Sequence, residues 1–378
     1  MINASSRLPA WKRAVIKVGS NLIAPLGCGL DTSHLLELAA FIGDSRAAGK
    51  QLVLVSSGAV AAGRLLLSQR EPTRSSLIGK QALAAIGQVR MMETWARLID
   101  GQVAQVLLSF DDLNNRRRFV NAKNTLRELM RLGVLPIVNE NDSVAVDELK
   151  VGDNDNLAAH VAVLVDADLL IILSDVDGLY EADPRKQPAA RLIPEVAEID
   201  ASVYALAGAS SSAVGTGGMR TKIEAAEKAA RRGITTLIAH GGRAEVFARL
   251  RREENPGTLL RPGLSPATAR AHWLRHALGV KGSLLVDAGA ARALRERGAS
   301  LLPPGVIDVR GDFRAGDLIE VLAADTEVGC ETGVARGVSQ YDATELRRIK
   351  GRGSREIEAL LGYVGSDEAI HRDDLVLL

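Results

Sequence analysis

Ala14-Val15-Ile16-Lys17-Val18-Gly19-Ser20 opens the ordered pattern of this chain, and the stretch that follows it decides the fold. A short β-branched run ends on a lysine, a glycine and a serine. Residues 33–48 then have helical spacing up to Gly49, and Gln51-Leu52-Val53-Leu54-Val55 is again a short apolar run, ending on Ser56-Ser57-Gly58-Ala59. Strand, helix, strand with no tight hairpin turn predicts a parallel pair joined by a crossover helix.

The same alternation continues outward. Val103–Leu108, Leu135–Val138, Leu169–Leu173 and Thr235–Ala239 read as strands, and Leu77–Ile99, Asn121–Leu132, Asn156–Leu164 and Thr221–Arg232 as helices. The expected fold is therefore α/β, with a largely parallel central sheet sandwiched by helices. Composition agrees: hydrophobic residues make up 47% of the 378 and aromatics only 3%, so Ala, Val, Leu and Ile must build the core, as in strands buried on both faces. Ligands of such sheets bind beyond the carboxyl ends of the strands, and the polar and glycine-rich motifs fall there.

The pattern changes near Glu253. Asn255, Pro256, Gly257, Pro262, Gly263 and Pro266 punctuate a stretch that reads as a linker. Beyond it Ser283–Val286, Gly305–Val309, Leu318–Val321 and Gly333–Val338 read as short strands, with one helix at Thr344–Ile349. This predicts a first domain over residues 1–255, a linker over 256–277 and a small β-rich barrel over 278–378.

Charge and cysteine content narrow the function classes. The formal charge is +1, and from Arg275 onward 14 basic residues face 17 acidic ones, a balance of −3. Neither the whole chain nor its tail is tuned for a nucleic-acid backbone. Cys28 and Cys330 lie far apart and match no zinc spacing, which predicts no disulfide framework and a cytoplasmic setting. The N-terminus lacks an apolar h-region, so no signal peptide is expected, and no apolar run approaches the length of a membrane span.

Six segments carry the chemistry, and several have a plainer reading beside the sharper one. Lys17 before Gly19 suits a phosphate approached closely by backbone, or is a snorkelling lysine before a turn. Ser57-Gly58-Ala59 at a helix start suits an anion, or is an ordinary cap. Asn139-Glu140-Asn141-Asp142 and Gly152-Asp153-Asn154-Asp155-Asn156 bring amides and carboxylates to two strand–helix junctions, more than turns require. They suit an α-ammonium, an oriented lysine or Mg2+. Ser174-Asp175 begins a loop past a strand end. Gly215-Thr216-Gly217-Gly218-Met219-Arg220-Thr221-Lys222 is a glycine-rich loop entering a helix, with N–H donors, a dipole end and a cation for an ATP phosphate. It fits neither the P-loop nor the dinucleotide-binding glycine pattern, and Gly79-Lys80 has Arg74 where a P-loop needs glycine.

Taken in order, these segments resemble the amino acid kinase family, and within it the branch that phosphorylates glutamate and carries a C-terminal PUA domain. Leu301-Leu302-Pro303-Pro304-Gly305 and His371-Arg372-Asp373-Asp374 fit that second domain, so the resemblance spans nearly the whole chain. Ser174, where relatives commonly have threonine, is a mild departure. The resemblance implies ATP-dependent phosphorylation of the L-glutamate γ-carboxylate, the first step of proline synthesis. It assigns catalysis to Lys17, Lys222 and Asp155, and glutamate binding to Ser57, Gly58, Asp142 and Asn154. It assigns ATP to Lys17, Ser174, Asp175, Thr216, Gly217, Gly218, Met219, Arg220, Thr221 and Lys222. It further implies Mg2+ arriving with ATP, feedback inhibition by proline, and a homo-oligomer, dimer or tetramer. The alternatives are a relative acting on another carboxylate, or an RNA-binding protein using the PUA-like module. Arg347, Arg348, Lys350, Arg352 and Arg355 form a basic patch for the latter, which the acidic balance of the tail opposes.

Overall fold

The computed structural model describes residues 7–23, 35–67, 76–145, 154–207, 218–263, 268, 279–324, 331–363 and 366–378. The chain divides into two compact units, Met1–Leu113 with Ala122–Pro266, and Asn114–Asn121 with Ala267–Leu378.

The first unit is built on eight strands: β1 (Arg13–Val18), β2 (Gln51–Ser56), β3 (Val103–Leu108), β4 (Leu135–Glu140), β5 (Leu169–Ser174), β6 (Glu195–Val196), β7 (Thr235–His240) and β8 (Thr258–Leu260). They lie in the order β3-β4-β2-β1-β5-β7-β8-β6, and every pair is parallel except β7 with β8. All six residues of β5 are buried, as are the last five of β1 and of β2. A strand covered on both faces has no polar alternation to show, which is why these runs are uniformly apolar. β1 lies between β2 and β5, so the chain leaves it outward on both sides. That reversal opens a crevice above the carboxyl ends of the central strands.

Helix Leu77–Leu98 buries Leu83, Ala84, Gly87, Gln88, Met91 and Trp95 along one stripe. It crosses helix Ala59–Leu67 at very short range, because a Cβ on Gly87 would lie 1.8 Å from Ala59 O and one on Gly63 2.0 Å from Leu83 O. The crossing brings Trp95 Nε1 within 2.8 Å of Ser56 Oγ at the end of β2, so the buried indole N–H is satisfied.

The second unit carries the order β10-β9-β11-β12-β13, over Gly282–Val286 (β9), Val306–Gly311 (β10), Leu318–Ala324 (β11), Glu331–Val338 (β12) and Leu375–Leu377 (β13). β9 and β11 are parallel and the other pairs antiparallel. The four strands read from the sequence are all present. The helix expected there, Ala343–Ile349, is present, and among the described residues Ala288–Arg297 and Ser354–Leu361 are helical as well.

The segment expected as linker does not begin at residue 256. β8 lies inside it, pairs with both β7 and β6, and is fully buried. Thr258 Oγ1 accepts from Leu179 N at 2.8 Å and donates to Ile193 O at 2.6 Å, tying the loop after β5 to the sheet. A three-residue strand flanked by Pro256 and Pro262 has no periodicity of its own, and only its partners make it one. Among the described residues no helix is long and apolar enough to cross a membrane.

Candidate active site

The carboxyl end of β1 and two helix starts meet in a buried ion cluster. Asp155, in the first turn of helix Asn154–Leu164, has no solvent exposure. Its Oδ1 lies 2.5 Å from Lys17 Nζ at the end of β1, and its Oδ2 lies 3.0 Å from Lys222 Nζ in the first turn of helix Met219–Ala230. Both lysines are nearly as buried, at 6% and 5% exposure. Thr221 Oγ1 also donates to Asp155 Oδ2 at 3.0 Å. Burial pushes the Asp155 carboxyl up, but the ammoniums of Lys17 and Lys222 outweigh it and hold the group below its ordinary value. One carboxylate between two cations leaves a net positive charge in a buried place, and a site with that surplus favours an anion.

Helix Met219–Ala230 begins at Gly218 without a side-chain cap, so its first N–H groups are unclaimed by any capping side chain. That geometry favours a phosphate. Met219 is partly exposed, and Arg220 turns outward, 3.0 Å from Glu224 and 5.7 Å over the Tyr204 ring. Thr216 and Gly217 lie outside the described residues.

Across the crevice, Asn154 Nδ2 donates to Ser57 Oγ at 2.7 Å and to Asn139 Oδ1 at 2.9 Å, with Ser56 O at 3.3 Å. Gly58, next to Ser57, has φ +104°, a conformation that side chains rarely adopt, so the turn at the end of β2 requires glycine. Asp142 sits in the turn after β4, half-buried. At the end of β5, Asp175 accepts from Asn21 Nδ2 and from Ser174 Oγ, each at 3.0 Å. Burial raises the Asp175 carboxyl, while those two hydrogen bonds, with Lys222 nearby, bring it below its ordinary value.

The structure thus brings Lys17, Asp155 and Lys222 into direct contact and places Ser57 against Asn154. Sequence reasoning missed Gln88, Asn21 and the bonding role of Asn139. Gln88 had a signal, being the one amide in an otherwise apolar helical stripe. Asn139 stood within a quoted motif, but nothing in the sequence shows that it reaches Asn154. Thr221, expected at ATP, donates to Asp155.

Comparison with known proteins adds an independent line. Residues 12–240 match the model of the amino acid kinase family, and residues 282–361 match that of the PUA domain. The chain is 54% identical over 364 residues to the glutamate 5-kinase of Xanthomonas campestris pv. campestris (strain 8004), covering 96% of this chain and all of that one. The glutamate 5-kinase of Xylella fastidiosa (strain 9a5c) is 52% identical over 371 residues, 98% of this chain and 96% of that one. Among solved structures, a UMP kinase from Bacillus anthracis aligns with a TM-score of 0.47 at 14% identity, over 68% of this chain and 98% of that one.

Proposed function

The chain belongs to the amino acid kinase family, and on that premise we propose that it transfers the γ-phosphoryl group of ATP to the γ-carboxylate of L-glutamate. The products are γ-glutamyl phosphate and ADP, and the reaction opens proline synthesis. The observation that carries the reading is the buried Lys17–Asp155–Lys222 cluster at the carboxyl ends of the central strands.

A γ-carboxylate oxygen attacks the γ-phosphorus while the bond to the β,γ-bridging oxygen breaks, and ADP takes that electron pair. No protein nucleophile and no proton transfer are needed, because the attacking group is already an anion. What the protein supplies is alignment and positive charge. Lys17 and Lys222 neutralise the transferring group, and Asp155 holds both ammoniums in place before ATP arrives. The first N–H groups of helix Met219–Ala230 add a phosphate cradle. Ser174 and Asp175 contact the nucleotide, and Ser57, Gly58, Asp142 and Asn154 hold glutamate.

Mg2+ comes with ATP, bound by phosphates and water rather than by a protein cage. The chemistry of the donor set fits this: the most buried carboxylate of the site, Asp155, is already engaged by two ammoniums. Bound there with the nucleotide, the ion supplies further charge neutralisation at the phosphates. We place the reaction in the cytoplasm, in a homo-oligomer, with proline competing at the glutamate site. We divide the chain after Pro266, where its two compact units part, a division supported by the pairing of β8 with β6 and β7.

A substrate panel with ATP and Mg2+, trapping acyl phosphate with hydroxylamine, tests the reading. Hydroxamate is expected from L-glutamate and not from N-acetylglutamate or aspartate. Hydroxamate from either of those in place of glutamate removes the proposed substrate.

A further inference from the structure

Gln88 follows Gly87 on helix Leu77–Leu98 and is only 7% exposed. Its Oε1 accepts from Asn139 Nδ2 at 2.9 Å, while its own buried Nε2 has no hydrogen-bond partner among the described residues. A buried N–H left without a partner is destabilising. Methionine would fill similar space in this apolar stripe without that cost, so packing does not account for the amide.

Polarity does. An amide has a donor end and an acceptor end, and turning it over exchanges them. With Nδ2 held by Gln88 Oε1, Asn139 presents Oδ1 to Asn154 Nδ2 at 2.9 Å. The other hydrogen of Asn154 Nδ2 goes to Ser57 Oγ at 2.7 Å. Both Asn154 hydrogens are then committed to protein, and no group among the described residues donates to Asn154 Oδ1. Were Asn139 turned over, its Nδ2 would face Asn154 Nδ2, donor against donor. Asn154 would then give up this contact, keeping only Ser57 Oγ at 2.7 Å and Ser56 O at 3.3 Å for its Nδ2, and its Oδ1 would be displaced from the place where it is offered.

We propose that Gln88, which touches no substrate, is a positioning residue: through Asn139 it sets the polarity of Asn154, so that Asn154 Oδ1 accepts from the α-ammonium of glutamate. The inference rests on the functional reading above and adds to it a residue remote in sequence from every motif. It separates binding from chemistry, because the relay ends on Asn154 and Ser57 and includes none of the residues of the ion cluster.

Steady-state hydroxamate assays on the full chain test it, with Gln88→Met, Gln88→Glu, Asn139→Leu and the double variant Gln88→Met/Asn139→Leu. Losing one neutral hydrogen bond corresponds to roughly a 2- to 13-fold rise in KM for glutamate. Gln88→Met is expected to show that rise with kcat and the KM for ATP unchanged. Gln88→Glu keeps an acceptor for Asn139 and should recover much of the affinity lost in Gln88→Met. The double variant should be no worse than Asn139→Leu alone, since the two residues act in series. The relay is overturned by an unchanged glutamate KM in Gln88→Met, by an equal rise for ATP, or by additive losses in the double variant. If Gln88→Met lowers Tm, Gln88→Glu decides, and a glutamate KM as high as that of the Met variant overturns the relay. Failure of the unaltered chain to form hydroxamate from L-glutamate overturns the functional reading and the relay together, so the two failures are distinct.

Discussion

Asp155 makes the clearest demand on single residues. With no exposure and two ammoniums within 3.0 Å, it cannot lose its charge without leaving two buried cations facing each other. Removing one member of a buried ion cluster typically costs about 3–5 kcal/mol. Asp155→Asn is therefore expected to lower Tm and abolish turnover together, as read by thermal unfolding and the hydroxamate assay; a Tm equal to that of the unaltered chain would show the cluster to be unimportant for stability. The depressed carboxyl also fixes a sign with pH. Its contribution is fully present above the ordinary aspartate value of 3.8 and is lost as pH falls through the lower folded value. Unfolding measured from pH 6 downward should therefore lose less stability in Asp155→Asn than in the unaltered chain. Lys17→Ala and Lys222→Ala act on the transition state, where charge on the transferring group must be met. Each should lower kcat by about 100- to 1,000-fold, the scale of removing one preorganised charge-stabilising group, with little change in the KM for glutamate. A near-normal kcat in either variant would remove that lysine from the mechanism.

Elements carry these residues to their places, and their packing sets the tolerance. Helices Ala59–Leu67 and Leu77–Leu98 meet at Gly63 and Gly87, where any Cβ would collide with backbone rather than with a side chain that can swing away. Gly87→Ala must push the helices apart, and overpacking of this kind costs about 1–3 kcal/mol or more. Because Gln88 is the next residue, the same shift should raise the KM for glutamate more than that for ATP. Thermal unfolding and the two KM values measure this together, and an unchanged Tm would show that the crossing has slack. Helix Asn154–Leu164 presents Asn154 to one side of the crevice and Asp155 to the other, one position apart in sequence. Asn154→Ala should therefore raise the glutamate KM by roughly 10- to 150-fold, the loss of a hydrogen bond to a charged group, while ATP affinity stays. Equal losses for both substrates would mean that the helix start itself had been disturbed.

For the whole molecule the question is where the first unit ends. A chain stopped after Arg261 retains all eight strands of its sheet, including β8, together with every candidate site residue. It is expected to fold and to form hydroxamate from L-glutamate, with circular dichroism showing a folded α/β spectrum. A chain stopped at residue 255 loses β8 and the Thr258 bonds to Leu179 and Ile193, and should be markedly less stable. If the longer fragment is unfolded or inactive, the second unit completes the first. If the two fragments are equally stable, β8 contributes nothing to the sheet.

Local pattern in the sequence was enough for the alternation of strands and helices and for polar, glycine-rich motifs at the strand ends, while the choice of Lys17, Asp155 and Lys222 among them came from the family resemblance. Uniform apolar runs with a crossover helix between them point to a parallel sheet, whose ligand site lies beyond the carboxyl ends of its strands. Tertiary structure alone decided what touches what. Residues 17, 155 and 222 meet because β1 lies beside β5 and two helices begin above them, and no local periodicity encodes that meeting. β8 exists only because β6 and β7 offer it partners, for three residues between prolines have no propensity strong enough to declare a strand. The amide relay was the least legible, since hydrogen-bond polarity depends on which end of each amide its neighbour meets. That is a property of side-chain packing among residues 57, 88, 139 and 154, and sequence order does not contain it.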